Sequence, residues 1–128
     1  MVEIYGKKTA GDKSKIKSTV KFCFDKLAVN ADNIVEIIFV SEKKIRLLNF
    51  RYRHIDQATD VLSFPQSQFD HNSRKIFGSI VICESIGKKY GETSRELIKH
   101  GVLHLLGFDH EKNQSQWRKA ESKINGKV

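Results

Sequence analysis

The chain has 128 residues, of which 39% are hydrophobic and 30% are charged. This length predicts one domain, residues 1–128, that can bury a core without disulfides. Its 23 lysines and arginines exceed its 15 acidic residues, and the net charge of +8 favours a polyanionic partner such as nucleic acid. Because no run approaches about 18 apolar residues and Met1–Lys8 lacks the apolar core of a secretory signal, we expect a cytoplasmic protein without membrane contact.

The first half of the chain predicts two strands and two helices. Val2–Tyr5 predicts a short strand, and the β-branched run Asn33–Val40 predicts a buried one. After Gly6–Lys15, the first helix is predicted by apolar residues at helical spacing: Ile16, Val20, Phe22, Cys23, Phe24 and Leu27. Ser41 then offers a hydroxyl N-cap for a second helix, which carries Ile45, Leu48 and Tyr52.

Two further strands follow, with a polar connection between them. Asp60–Phe64 predicts a strand that ends at the only proline, Pro65, and Ile76–Ile82 predicts the next strand. The polar stretch Gln66–Lys75 predicts a loop or a hairpin connection between the two.

Three helices complete the chain. Glu84–Tyr90 predicts the first, and Thr93 with Glu96 forms the capping-box pattern that starts the second. This second helix is expected to be central and buried, because apolar residues surround its histidines: Leu97, Ile98, Val102, Leu103, Leu105 and Leu106. A final helix, from about Glu111 to Ile124, carries Trp117.

Three histidines in this region, His100, His104 and His110, follow the spacing H-x3-H-x5-H. A helix advances about 3.6 residues per turn, so the first two project from one face, one turn apart. Gly107 stands where the helix is expected to end, because glycine adopts the left-handed conformation without a Cβ penalty. The chain can then turn the third histidine back towards the other two.

This histidine pattern predicts a catalytic metal centre. Neutral imidazole is a preferred zinc ligand, and three protein ligands with an open fourth position are typical of a catalytic zinc rather than a structural one. The two remaining histidines, His54 and His71, are predicted to lie on surface loops.

The histidine stretch, HGVLHLLGFDH over 100–110, and the stretch RHIDQATDVLSFP over 53–65 together resemble the YbeY family of bacterial endoribonucleases. Those are zinc proteins implicated in ribosomal RNA maturation and ribosome quality control. The strand Phe77–Cys83 and the basic, helical N-terminal half lie where that family has them. The resemblance implies an α+β fold in which a mixed four-stranded sheet packs with helices around a central histidine-bearing helix, in a zincin-like layout.

The same resemblance implies the roles of individual residues. His100, His104 and His110 are then the ligands of one Zn²⁺ ion, and Arg53 occupies the position of an arginine important for activity. The implied function is single-strand-specific, zinc-dependent cleavage of ribosomal RNA, at the 3′ end of 16S RNA, with the small ribosomal subunit as partner.

Two positions depart from the family pattern. Ala58 stands where the family usually has proline, and this change is expected only to loosen a loop. Ser79 stands where an aspartate commonly follows the glycine of the third strand, and this change is expected to remove a carboxylate from near the site.

The motif also bears on the reaction. Metzincin peptidases carry H-E-x-x-H-x-x-G-x-x-H, in which the glutamate is the general base, whereas this chain has Gly101 at that position. The substitution argues against a protease. Zinc can lower the pKa of a bound water to about 7 or polarise a phosphoryl oxygen, and either role suits phosphodiester cleavage. The sequence does not choose between attack by water and attack by the RNA 2′-hydroxyl.

Other polar residues near the two motifs have two interpretations each. Arg53 can hold a phosphate with two hydrogen bonds, or it is a surface arginine in a basic run. Asp60 and Asp109 can orient a ligand imidazole, although Asp109 can equally cap the helix end. Thr59 and Ser63 can contact substrate or stabilise a loop and a strand.

Two alternative functions remain open from the sequence. One is a metal-dependent hydrolase of another substrate, and the other is a ribosome-assembly factor whose zinc is structural.

Overall fold

The computed structural model describes residues 2–6, 10–29, 34–69 and 75–125, and these form an α+β fold of one four-stranded sheet and five helices. The elements in chain order are β1 Val2–Tyr5, α1 Ala10–Lys26, β2 Ile34–Phe39, α2 Glu42–Arg53, β3 Val61–Phe69, β4 Lys75–Ile82, α3 Glu84–Lys89, α4 Ser94–Leu105 and α5 Gln114–Lys123. The predicted fold class is confirmed. The two positions Asn33 and His71, on which predictions fell, lie outside the described residues.

The sheet is mixed, with the strand order β1-β2-β4-β3. β1, β2 and β4 run parallel, and β3 runs antiparallel to β4 with Val61 opposite Ile82 and Phe64 opposite Ser79. β3 is therefore an edge strand.

β3 is longer than its sequence pattern predicts. It continues through Pro65, which pairs opposite Gly78, and reaches Phe69, so Gln66–Phe69 belongs to a strand and not to a loop. Because β3 pairs antiparallel with the next strand, β4, the predicted hairpin connection is confirmed. An edge strand tolerates proline because one side of its backbone needs no ladder partner. The rest of the predicted connection, residues 70–74, lies outside the described part of the chain.

The helix ends follow from capping. Ser41 caps α2 as predicted, accepting a hydrogen bond from the Lys44 backbone N–H at 3.2 Å. α5 begins at Gln114 rather than at Glu111, because the Asn113 side chain accepts from the Gln116 backbone N–H at 3.0 Å and so acts as the N-cap.

Two apolar clusters cover the two faces of the sheet. One contains residues of α1, α4 and α5 packed on Ile80 and Ile82, and the other joins α2 and α3 to Leu62 and Val81. Strand side chains alternate between faces, so β4 contributes to both clusters. None of the helices in the described ranges is long and apolar enough to cross a membrane.

The loop between α2 and β3 is anchored to α2. The buried Asn49 side chain donates to the Gln57 carbonyl at 2.9 Å, and Arg46 pairs with Asp56 at 2.8 Å. Ala58 is half-buried against the second cluster. The expectation that alanine loosens this loop stays a prediction.

α4 lies unusually close to the sheet at Gly101. A Cβ on this residue would stand 2.5 Å from the Ile80 Cγ2 methyl, which is fully buried. Two residues earlier on the same strand, and on the same face, a Cβ on Gly78 would overlap the Leu105 side chain. The absence of side chains at these two positions lets the helix and the strands come into contact.

We expect Gly101→Ala to lower the free energy of unfolding by about 1–3 kcal/mol, because the Ile80 Cγ2 branch is fixed to its strand and cannot swing away. Gly87→Ala is the matched control, since the closest atom to its Cβ would be Leu97 Cδ1, at 2.7 Å, the end of a flexible side chain. Urea unfolding of both variants measures the difference. Equal stability of the two would contradict the close contact at Gly101.

Candidate metal centre

α4 presents two of the three histidines side by side. Its capping box is present as predicted, with the Thr93 hydroxyl accepting from the Glu96 N–H and the Glu96 carboxylate accepting from the Thr93 N–H. From this fixed start, His100 and His104 stand one turn apart on the cavity side of the helix. Their Nε2 atoms lie 3.0 Å from each other.

A turn after α4 returns the third histidine. Gly107 has a φ of +93°, the left-handed conformation that its position predicts, and its N–H donates to the His104 carbonyl at 3.0 Å. Asp109 then accepts hydrogen bonds from the backbone N–H groups of Glu111 and Lys112, at 2.8 and 3.3 Å. The Asp109 side chain therefore stabilises the turn that carries His110.

The three imidazoles converge on one point. One ligand nitrogen from each of His100, His104 and His110 lies within 4.8 Å of the other two. Nitrogens that share a tetrahedral zinc at about 2.0–2.1 Å stand about 3.3 Å apart, close to the 3.0 Å separation of the first pair. Both the donor atoms and their spacing fit a metal ion, so this triad can hold one.

Burial keeps the first two imidazoles in the form that binds metals. Burial lowers the pKa of His100 to about 4, with the charge of His104 adding to the effect and that of Asp60 opposing it. Burial also lowers the pKa of His104, helped by His110. Both rings are therefore neutral at pH 7, and a cation displaces no proton from them.

Trp117 forms the floor of the triad, a role that no sequence motif indicates. Its ring centroid lies 5.2, 5.0 and 5.1 Å from those of His100, His104 and His110. The side chain is buried on α5. A lone tryptophan on an amphipathic helix is typical of any core, so only the fold reveals that it touches all three rings.

The triad opens into a cleft of about 660 Å³ beside the edge strand β3. Arg53, at the last residue of α2, lies in the same cleft together with Tyr52 and Pro65. The charge of Arg53 contributes to lowering the pKa of His104, after burial and the charge of His110. Two motifs that are far apart in sequence thus meet in one cavity.

The hydroxyls near the cleft are engaged within the protein. Ser63 donates to the Gly101 carbonyl at 2.8 Å and thereby ties β3 to α4. The Thr59 hydroxyl lies 3.4 Å from a carboxylate oxygen of Asp60. Of the two interpretations of Ser63, the structure shows the stabilising one. His54 is exposed at the C-cap of α2 with a φ of 60°.

Ser79 does not lie in the site, and the expectation that it removes a carboxylate from there was wrong. Its neighbours Gly78 and Ile80 face α4, so Ser79 points to the opposite face of β4. There its hydroxyl donates to the Glu36 carboxylate on β2 at 2.7 Å.

The position of the metzincin glutamate has no room for a side chain. Gly101 lies against Ile80 and Val61, and even a Cβ would stand 3.3 Å or less from both. The close packing of α4 on the sheet explains why this chain lacks the general base of a metalloprotease.

A carboxyl pair adjoins the first histidine. Burial, together with the hydrogen bond and the charge of Asp60, raises the pKa of Glu92 to about 7. When protonated, Glu92 can donate a hydrogen bond to Asp60, the same carboxyl group that opposes the lowering of the His100 pKa.

In this α+β fold, a mixed sheet lies beneath a helix that carries two histidines, and a third histidine follows a glycine turn. This arrangement defines a zincin-like class of metal-site protein. The chain belongs to the endoribonuclease YbeY family, whose model matches residues 3–125.

Relatives in this family are similar along most of their length. The endoribonuclease YbeY of Aquifex aeolicus is 33% identical over 134 residues, covering 95% of this chain and 87% of the relative. That of Persephonella marina is 36% identical over 121 residues, covering 85% and 79%. A solution structure of a Thermotoga maritima protein has a TM-score of 0.55 and 27% identity, covering 97% of this chain and 87% of that one.

The Glu92 carboxyl predicts a pH dependence of stability. Because its folded pKa is raised from 4.5 to about 7, its stabilising contribution is present below pH 4.5 and is lost as the pH rises to about 7. Glu92→Gln stays neutral at every pH. We therefore expect the variant to gain stability relative to the parent chain between pH 5 and pH 8, as urea unfolding measures.

Glu121→Gln, at an exposed position of α5, is the control for that comparison. If the stability difference between the parent chain and Glu92→Gln is the same at pH 5 and pH 8, the raised pKa is contradicted.

Proposed function

We propose that this chain is a single-strand-specific, zinc-dependent endoribonuclease that acts in maturation of the 16S ribosomal RNA 3′ end and in ribosome quality control. Membership of the endoribonuclease YbeY family supports the reaction and its RNA substrate. The observation that carries the proposal is the convergence of three imidazoles in a cleft that also contains Arg53.

In this proposal His100, His104 and His110 hold one Zn²⁺ ion. When bound, zinc supplies Lewis acidity towards a phosphoryl oxygen and towards water. Burial lowers the pKa of His100 and of His104, which favours the neutral, metal-binding form of both, and Trp117 packs against all three rings.

Arg53 has the role of holding the scissile phosphate. Its planar guanidinium can donate two parallel hydrogen bonds to phosphate oxygens and stabilise the negative charge that develops on them during cleavage. The residue is exposed at the end of α2, and it shares the cleft with the triad.

The two routes of attack leave different products. Attack by the neighbouring 2′-hydroxyl leaves a 2′,3′-cyclic phosphate, whereas attack by water leaves a phosphate monoester. Analysis of the RNA ends therefore separates the two routes. Neither route can use a glutamate base at position 101, because Gly101 leaves no room for a side chain there.

The cleft favours this function over a ribosome-assembly factor with a structural zinc. A structural site closes around zinc with four protein ligands, whereas the cluster found among the described residues has three, and His110 is exposed. The net charge of +8 supports ribosomal RNA and the small subunit as partners, in the cytoplasm. Residues 1–128 act as one domain in this proposal, because both apolar clusters share the same sheet.

We expect His104→Ala to lose both bound zinc and RNA cleavage, because two imidazoles hold the ion far less tightly than three. Elemental analysis of the purified chain and cleavage of a defined single-stranded RNA measure the two losses. His54→Asn is the control, since His54 is exposed outside the triad and asparagine tolerates its left-handed backbone. Full cleavage by a metal-free preparation of the parent chain would refute the proposal. So would undiminished cleavage by His104→Ala, because a contaminating nuclease is unaffected by the substitution.

Arg53→Ala is expected to keep its zinc and to lower kcat by about 100-fold or more, as removal of a preorganised charge donor does in other enzymes. Arg118→Ala, an exposed arginine on α5, controls for the loss of positive charge. Steady-state kinetics on the same RNA measure the change. An unchanged kcat would show that Arg53 is a surface arginine without a role in cleavage.

A further inference from the structure

We propose that the outer face of α2 binds the unpaired RNA strand beside the cut site, with Phe50 as a stacking platform for a base. This inference rests on the proposed function and extends it by naming a substrate-binding surface outside the cleft.

Apolar side chains are exposed in one short stretch of the chain. Of the six large hydrophobic residues that are exposed in the described ranges, four fall within residues 47–55: Leu47, Phe50, Tyr52 and Ile55. Leu47 and Phe50 are 57% and 54% exposed and stand one turn apart on the side of α2 that faces away from the buried Ile45. The apolar core therefore leaves them uncovered.

Positive charge surrounds these side chains. α2 has the sequence EKKIRLLNFRYR, in which five cationic residues accompany a single acidic one. Helical spacing places Lys43 in line with Leu47 and Phe50, and Arg51 on their flank. Aromatic faces set among lysines and arginines are the pattern by which proteins bind single-stranded nucleic acid, through base stacking and phosphate contacts.

The surface is continuous with the metal cleft. Arg51 lies over the Tyr52 ring, with its guanidinium carbon 5.9 Å from the ring centroid, and Tyr52 packs edge-on against Phe64 of β3 at 5.3 Å. Tyr52 and Arg53 also line the cleft. A strand whose phosphate sits at Arg53 thus meets Phe50 one helical turn further along.

The charge pattern favours RNA over a protein partner. Protein interfaces are depleted in lysine at their centre, whereas Lys43 and Lys44 lie beside the exposed apolar residues here. Each of these cations attracts the phosphates of an RNA backbone, and every base offers a flat face for stacking.

The test measures binding of a single-stranded RNA about 12 nucleotides long, made with 2′-O-methyl groups and phosphorothioate links so that the metal-loaded chain does not cut it. Phe50→Ala is expected to raise the Kd by about five- to 150-fold, the range for loss of one stacked base. Phe50→Leu is expected to weaken binding as much, because it keeps an apolar surface but removes the ring, whereas Phe50→Tyr is expected to retain it.

Two further variants sharpen the test. Tyr5→Ala removes an exposed aromatic from β1, at the opposite edge of the sheet, and is expected to leave the Kd unchanged. Arg51→Gln is expected to make the slope of log Kd against log salt shallower by about 0.7, the share of one phosphate contact on a single strand.

The outcomes separate this inference from the proposed function. An unchanged Kd in Phe50→Ala, or full binding by Phe50→Leu, overturns the stacking role. Failure of the parent chain to cut ordinary RNA with its metal bound refutes the proposed function without altering the Kd comparison. If the parent chain binds no RNA, both are overturned.

Discussion

The contact between α4 and the sheet determines where the functional groups point. At Gly101 the helix approaches Ile80 so closely that even a methyl group would overlap, and the Ser63 hydroxyl adds a hydrogen bond to the Gly101 carbonyl. A helix held this tightly cannot rotate about its axis. Because His100 adjoins the contact and His104 follows one turn later, the packing that forms the core also directs both imidazoles into the cleft.

The same contact separates this site from that of a peptidase with the same ligand spacing. Gly101 stands where a metalloprotease has its glutamate, and the space that a side chain would need is filled by Ile80 and Val61. What the cleft offers instead is positive charge, from Arg53 at its wall and from the cationic face of α2 beyond it. The packing at Gly101 thus excludes the glutamate of a peptidase, and the positive charge favours an anionic substrate.

Local sequence signals predicted much of the fold and the triad. The capping box at Thr93, the N-cap at Ser41 and the glycine turn at Gly107 all act through neighbours a few residues away, so the sequence pattern is enough. Features that depend on the partner strand were not predictable in this way. β3 passes through Pro65 only because it is an edge strand, and Ser79 faces away from the site because of the register of β4.

Trp117 touches all three histidines through a contact between α4 and α5 that no sequence period encodes. The chain contains a single tryptophan, so its tryptophan emission comes from one place, directly beneath the triad. An ion bound by the triad would change the surroundings of that indole. The protein thus carries a built-in optical reporter for metal binding at this position, readable without an attached dye.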